Sequence, residues 1–366
     1  MTLAQLTAAA SRLALVGLAK NTGKTVTLNA LLAELAAARE PVGVTSVGRD
    51  GEKHDVIDFR IEKPLVRLAA GDLVATTDGL LAASGVPHEL LERTGLRTPL
   101  GEVLLARLRG EGTIEIAGPS AAADTRVVAD AMLSHGARRV VIDGAIDRRA
   151  ASSPEIADGL VMSTGAILAE EIEDVVSHTA DAVELVRVPG LDAGTPEERR
   201  VADLIAADAR ASFMVDQDLA VHPLPPRFAL TAEQPAIDGL LREGPAARWL
   251  VIGGAVPEAF LEKLIPSLRR TRTALKVLAQ DPTRFFLATH GPEFYARAGV
   301  ELLVAHPIDL RALTVNPVAP QSHEFDSARL RALLAEKIRG VPIFDVLHPS
   351  YAVAPPMMAR RGAVGR

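Results

Sequence analysis

One stretch of this chain is spaced for work on a phosphate. GLAKNTGKT, residues 17–25, sets Gly17, Lys20, Asn21, Thr22, Gly23, Lys24 and Thr25 in a single run, and Val26 follows. Backbone N–H groups in such a loop can curl around an anion. Gly23 permits close approach, Lys24 can neutralise β and γ phosphates, and the Thr25 hydroxyl can ligate Mg²⁺. The common spacing G-x-x-x-x-G-K-[ST] asks for glycine at the position of Leu18; here Gly17 stands one step earlier, so the loop is one residue longer.

Phosphate chemistry of this type also needs a carboxylate at the end of a neighbouring strand, to hold Mg²⁺ directly or through water. VVIDGA supplies Asp143, followed by the small Gly144. Asp50, in the polar stretch GRDGEKHD after the second strand, is a second candidate acid for the metal or the attacking water; it also reads as a turn residue before Gly51, and Asp55 is a nearby competitor. Asp147 reads more simply as a surface partner of Arg148 and Arg149. The catalytic set is therefore Lys24, Asp50 and Asp143, with ATP and Mg²⁺ as the expected ligands. The lack of an N-K-x-D guanine signature leans toward ATP. Asn316, at the end of LTVNP, is a candidate for placing an amide near a purine, and a turn is an equally good reading.

The elements around the loop suit it. Leu13–Val16 is a short apolar run, and after the loop Leu28, Leu31, Leu32 and Leu35 recur at three- and four-residue steps, the spacing of one helical stripe. Pro41 pushes Glu40 out of the helical region and closes that helix. PVGVTSV, ARRVVIDGA, GLVMSTGAI and AVELVRV read as further strands, with a helix over 121–135. GPS at 118–120 reads as a structural turn. The fold class is α/β: a mainly parallel sheet covered by helices, spanning 1–211. Short apolar segments over 61–117 read as β-hairpins inserted into that core. A proline-rich boundary at 211–228 opens a C-terminal α/β region over 212–350, and 351–366 reads as a disordered tail. VVIDGAIDRRAA and LVIGGAVPEAFL look alike, but one short pair does not make a repeat.

Composition narrows the classes. In 366 residues, 48% hydrophobic, with no cysteine, there is ample material for a large core and none for disulfides, thiolate metal sites or a cysteine nucleophile. The formal charge of -6 argues against nonspecific binding to nucleic acid or anionic lipid. No stretch approaches the roughly 18 apolar residues of a membrane span, and the N-terminus lacks the basic start of a secretory signal. A soluble cytoplasmic protein is expected. Neither H-E-x-x-H nor G-x-S-x-G occurs.

G-x-x-x-x-x-G-K-T resembles the loop of dethiobiotin synthetase and its relatives, P-loop NTPases of MinD-like architecture. VVIDGA resembles their E-G-A-G stretch, with Asp143 replacing Glu. MinD-type ATPases carry a signature lysine early in the loop. Aligned on Gly23-Lys24, that position is Ala19 and Lys20 falls one residue late, so a lysine finger acting in trans is not expected. More widely, VGLAKNTGKTVTLNALL, TSVGRDGEKHD, IEKP, AAGDLVATT, TGLRTPLGEVLLARL, IEIAGPS and VVIDGAIDRRAA together resemble the P-loop subunit of the reactivase for lysine 5,6-aminomutase. That resemblance covers about residues 13–190 and continues loosely to LTVNP and VPIFDV. It implies a chaperone-like ATPase that works with a MutS-like partner subunit to exchange damaged cobalamin on an adenosylcobalamin-dependent aminomutase. It leaves a homo-oligomer open. The alternative is a dethiobiotin synthetase-like ligase or kinase acting on a small carboxylate or amine, with its pocket in the 61–117 segment. A metallochaperone fits poorly without cysteines or clustered histidines.

Overall fold

Apolar runs in this chain alternate between sheet and helix because each strand must bury both of its faces. The computed structural model describes residues 1–48, 65–145, 153–242, 247–320, 322–348 and 351. The first part runs α1 (Leu3–Leu6), β1 (Arg12–Gly17), α2 (Lys24–Ala37), β2 (Val42–Ser46), β3 (Val66–Leu68), β4 (Leu73–Thr77), α3 (Asp78–Ala83), β5 (His88–Thr98), β6 (Gly101–Leu108) and β7 (Gly112–Ile114). It continues through α4 (Ala122–Ser134), β8 (Arg139–Ala145), β9 (Gly159–Gly165), α5 (Ile172–Val186) and α6 (Pro196–Ala207). Then come β10 (Phe213–Asp216), β11 (Val221–Pro223), α7 (Phe228–Thr231), α8 (Gln234–Arg242), β12 (Ala247–Ile252), β13 (Val256–Pro257) and α9 (Glu258–Thr271). The chain closes with β14 (Leu275–Ala279), β15 (Phe285–Phe286), α10 (Pro292–Arg297), β16 (Val300–Val304), β17 (Leu310–Asn316), α11 (Ser327–Lys337) and β18 (Ile343–Phe344).

A nine-stranded sheet has the order β18-β17-β9-β1-β8-β2-β4-β6-β5. It is parallel from β18 to β4, and β6 and β5 form an antiparallel edge. Along β1 the side chains alternate between faces: Leu13 and Leu15 enter the core under α2, whereas Ala14 and Val16 enter the core beneath α4, α5 and α11. A second, five-stranded sheet, β11-β10-β12-β14-β16, packs α6 on one face and α8 and α9 on the other. The fold class is α/β, as expected. Among the described residues no helix is long and apolar enough to cross a membrane.

Several boundaries differ from the sequence expectation. Of the 61–117 segment, described from residue 65, β3 and β7 pair with each other and β5–β6 is an antiparallel hairpin, but β4 pairs parallel with β2, and β6 and β5 extend the same sheet, so this part belongs to the core. The region expected over 212–350 is two things. Residues from α6 to β16 build the second sheet, whereas β17 returns to pair with β9, so residues from 310 onward belong to the first sheet. The chain crosses over near Leu191, whose N–H donates to Val304 O at 2.7 Å, and not at the proline-rich stretch. That stretch carries the β10–β11 hairpin. AVELV, the first five residues of AVELVRV, is the end of helix α5 and not strand: Ile172, Val175, Val176, Thr179 and Val183 are buried at helical spacing. Helix α2 stops at Ala37, three residues short of Glu40, because Arg39 turns left-handed with φ 54°. The expected tail at 352–366 lies outside the described residues.

Candidate functional site

The carboxyl edge of the parallel sheet gathers the ends of β1, β8, β2, β9 and β17. In open α/β sheets ligands bind at this edge, where successive connections leave in opposite directions. The register places Leu15 opposite Asp143, Ser46 opposite Asp143, Gly17 opposite Ser163, and Asn316 opposite Gly165.

From the end of β1 the loop runs to α2, whose first residue is Lys24. Gly17 ends the strand because nothing larger fits: a Cβ there would lie 2.5 Å from Thr22 Oγ1. The buried Thr22 hydroxyl donates to Ala19 O at 3.1 Å, and Leu18 N–H donates to Ser163 O at 2.8 Å, pinning the loop's first half. Asn21 and Gly23 are both left-handed, φ 64° and 83°, which turns their N–H groups toward one side. Gly23 caps α2 without a side-chain hydrogen bond. Among the described residues, the N–H groups of Asn21 to Val26 meet no protein acceptor. These are the orphan donors of a helix start, where the helix dipole also favours negative charge.

Lys24 and Asp143 meet here. The ammonium Nζ donates to Asp143 Oδ1, and both side chains are about four-fifths buried, at 24% and 19% exposure. Neither charge can lose its partner cheaply in such a setting. The half-buried Thr25 hydroxyl has no hydrogen bond among the described residues. Asp143 and Thr25 together offer hard oxygen donors. Among the described residues no three His, Asp or Glu side chains cluster to form a protein cage. That donor set fits Mg²⁺, which takes one or two protein oxygens and completes its shell with phosphate and water. Lys20 is exposed and Val26 half-buried in the first turn of α2.

Asn316 has a role that differs from base recognition. Its amide Nδ2 donates to Asn21 O at 2.9 Å, its Oδ1 accepts from Val318 N–H at 3.2 Å, and its Cβ lies 3.1 Å from where a Gly23 Cβ would stand. Placed there, Asn316 clamps the loop. Gly118, in the GPS turn, donates its N–H to Ser46 Oγ at 2.9 Å, and Gly48 N–H donates to Pro119 O at 2.6 Å. The turn braces the end of β2 as a structural element. Asp50, Asp55 and Asp147 lie outside the described residues.

The sequence reading missed a buried hydroxyl trio behind the loop. Thr27, on α2, lies 2.8 Å from Thr314 Oγ1 on β17, and Ser163 Oγ on β9 lies 2.8 Å from that same Thr314 oxygen. These bonds tie the helix that carries Lys24 to two strands. The available signal was a hydroxyl inside each apolar run, STG and LTVN. Nothing along the chain pairs residues so far apart.

No family model matches this chain, and no curated protein or solved structure matches it.

Proposed function

We propose that this chain is a Mg²⁺-dependent ATPase of the P-loop type. We further propose that it serves as a reactivating subunit, coupling ATP turnover to exchange of damaged cobalamin on an adenosylcobalamin-dependent aminomutase together with a MutS-like partner. The observation that carries the nucleotide part is the run of unaccepted N–H groups from Asn21 to Val26 beside the Lys24–Asp143 pair. The reactivating role rests on the sequence resemblance described above.

The chain's own residues divide the work. The loop N–H groups and Lys24 bind the phosphates, an electrostatic cradle whose donors are fixed before the ligand arrives. With nucleotide and Mg²⁺ bound, Lys24 would neutralise phosphate oxygen and Asp143 would be free to hold the cation, in place of the pair they form with each other. Thr25 and Asp143 would hold Mg²⁺, which supplies charge neutralisation across the phosphates. Asn316 and the Thr27–Thr314–Ser163 hydroxyls hold the loop in register. Asp50 is proposed as the switch carboxylate that orients the attacking water. An ATPase of this kind turns over slowly until partners stabilise its competent state.

The test combines the purified chain, its MutS-like partner and an aminomutase carrying inactive cobalamin. ATP, Mg²⁺ and fresh adenosylcobalamin should restore mutase activity. A nonhydrolysable analogue, or the Lys24→Ala variant, should not sustain it. Recovery without ATP, or equal recovery with Lys24→Ala, would overturn the reactivating role. ATP consumption dependent on a small carboxylate or amine would instead establish the ligase reading.

A further inference from the structure

Between helix α5 and the 282–292 loop of the second region lies a cleft of about 240 Å³ that the nucleotide chemistry does not use. Its floor is apolar: Val16, Leu18, Leu160 and Met162, from the face of the sheet opposite α2. Its polar groups come from α5 and the loop, among them His178, Asp181 and Thr289. Among the described residues no lysine or arginine lines it.

Negative charge is concentrated at one wall. Among the described residues the Asp181 carboxylate makes no hydrogen bond or ion pair, and its Oδ1 lies 3.6 Å from the point a Gly291 Cβ would occupy. Glu184, one turn along the same helix, accepts Glu293 N–H at 2.5 Å. Burial, together with the neighbouring Glu293 and Asp181 charges, pushes the Glu184 carboxyl above its usual value. Arg297, the cation nearby, is engaged by Glu293. The opposite wall is held in place: Glu258 binds the N–H groups of Ala288, Thr289 and His290, and the His290 ring stacks on Phe294 at 3.8 Å between centroids. A fixed apolar cleft with a few convergent polar groups is the usual form of a small-molecule site, and this one is smaller than the roughly 300–1,000 Å³ usual for drug-sized ligands, which suits a small body.

We propose that the cleft binds a small organic amine, with its apolar body on Leu18, Leu160 and Met162 and its ammonium group against Asp181. The acidic wall disfavours carboxylates, and the exposed Asp181 at its rim, with no partner among the described residues, offers an ammonium group an unengaged carboxylate. The site does not depend on the nucleotide reading.

The test is calorimetric titration of the full chain with three probes of matched body: n-hexylamine, n-hexanol and hexanoate. Hexylamine should bind saturably in the millimolar range and hexanoate should not. Asp181→Asn should weaken hexylamine by about threefold, the contribution of one exposed ion pair, while leaving hexanol binding unchanged. Ala182→Phe, which fills the cleft, should abolish binding of all probes. Lys24→Ala should bind hexylamine like the wild type, so failure of the nucleotide site would leave this result standing. Hexanoate binding as well as hexylamine, no hexylamine binding by the wild type, or an Asp181→Asn titration equal to the wild type would each overturn the proposal.

Discussion

Between β1 and the first turn of α2, the N–H groups of Asn21 to Val26 have no acceptor from the described chain, and the run includes the cation Lys24. In the loop before α10, Ala288, Thr289 and His290 also present consecutive N–H groups, but there the protein supplies the anion itself. Glu258, first residue of α9, accepts from Ala288 at 2.8 Å, from Thr289 at 2.9 Å and from His290 at 2.9 Å, and takes the Tyr295 hydroxyl at 3.0 Å. Burial tends to raise the Glu258 carboxyl, yet these four donors hold it below its usual value. The two loops use the same backbone chemistry to opposite ends. One is filled by its own chain and serves as a fixed wall; the other has no acceptor among the described residues and, under the function proposed here, takes an anion from outside.

The comparison can be broken at either loop. Removing the cation from the open loop should have the largest effect. Lys24→Ala should lower ATP affinity by roughly two to three decades, read by calorimetry, because a desolvated charge-assisted contact is lost. Asp143→Asn should retain part of that affinity and chiefly lower turnover. Emptying the filled loop should instead cost stability. Glu258→Ala leaves four donors without their carboxylate and should destabilise the chain by about 2 kcal/mol in denaturant unfolding, with ATP affinity of the folded protein unchanged.

The same carboxyl gives a pH signature. A group whose folded pKa is depressed stabilises above its unfolded value of 4.5 and loses that contribution as pH falls through the folded value. Unfolding midpoints of the wild type should therefore fall below about pH 4.5, and Glu258→Gln should flatten that limb. The smallest effect belongs to the clamp. Asn316→Ala frees Asn21 O and should weaken ATP by up to about tenfold, the contribution of one neutral hydrogen bond, with little change in unfolding midpoint. An unchanged affinity would return Asn316 to an ordinary turn.

Local parts of this architecture were legible in the sequence. Strand, glycine loop and helix at 12–37 are declared by an apolar run, Gly17, Gly23 and a leucine stripe, all short-range signals. Asp143 was legible because one acid ends an apolar strand. What could not be read is what long-range pairing decides. LRALTVN looks like a strand wherever it pairs; only folding places it beside β9 and brings Asn316 onto the loop. The 73–108 segment shows hairpin spacing, but its union with β2 depends on sheet edges and not on local pattern. AVELV was read as a strand because a short apolar run cannot be told from a buried helix segment by periodicity alone, and the helix won through burial of Ile172 to Val183 as one stripe. Glu258 gave no signal at all, since its partners lie about thirty positions further on.

The most direct test of the central contrast is backbone amide NMR of the full chain titrated with ATP and Mg²⁺, following both loops in one experiment. The open loop should respond: amides of Asn21 to Val26 should shift and gain protection from exchange as the ligand saturates. Ala288, Thr289 and His290 should stay in place, already bound to Glu258. Unperturbed amides at Asn21 to Val26 under saturating ATP, or shifts of equal size at both loops, would contradict the account.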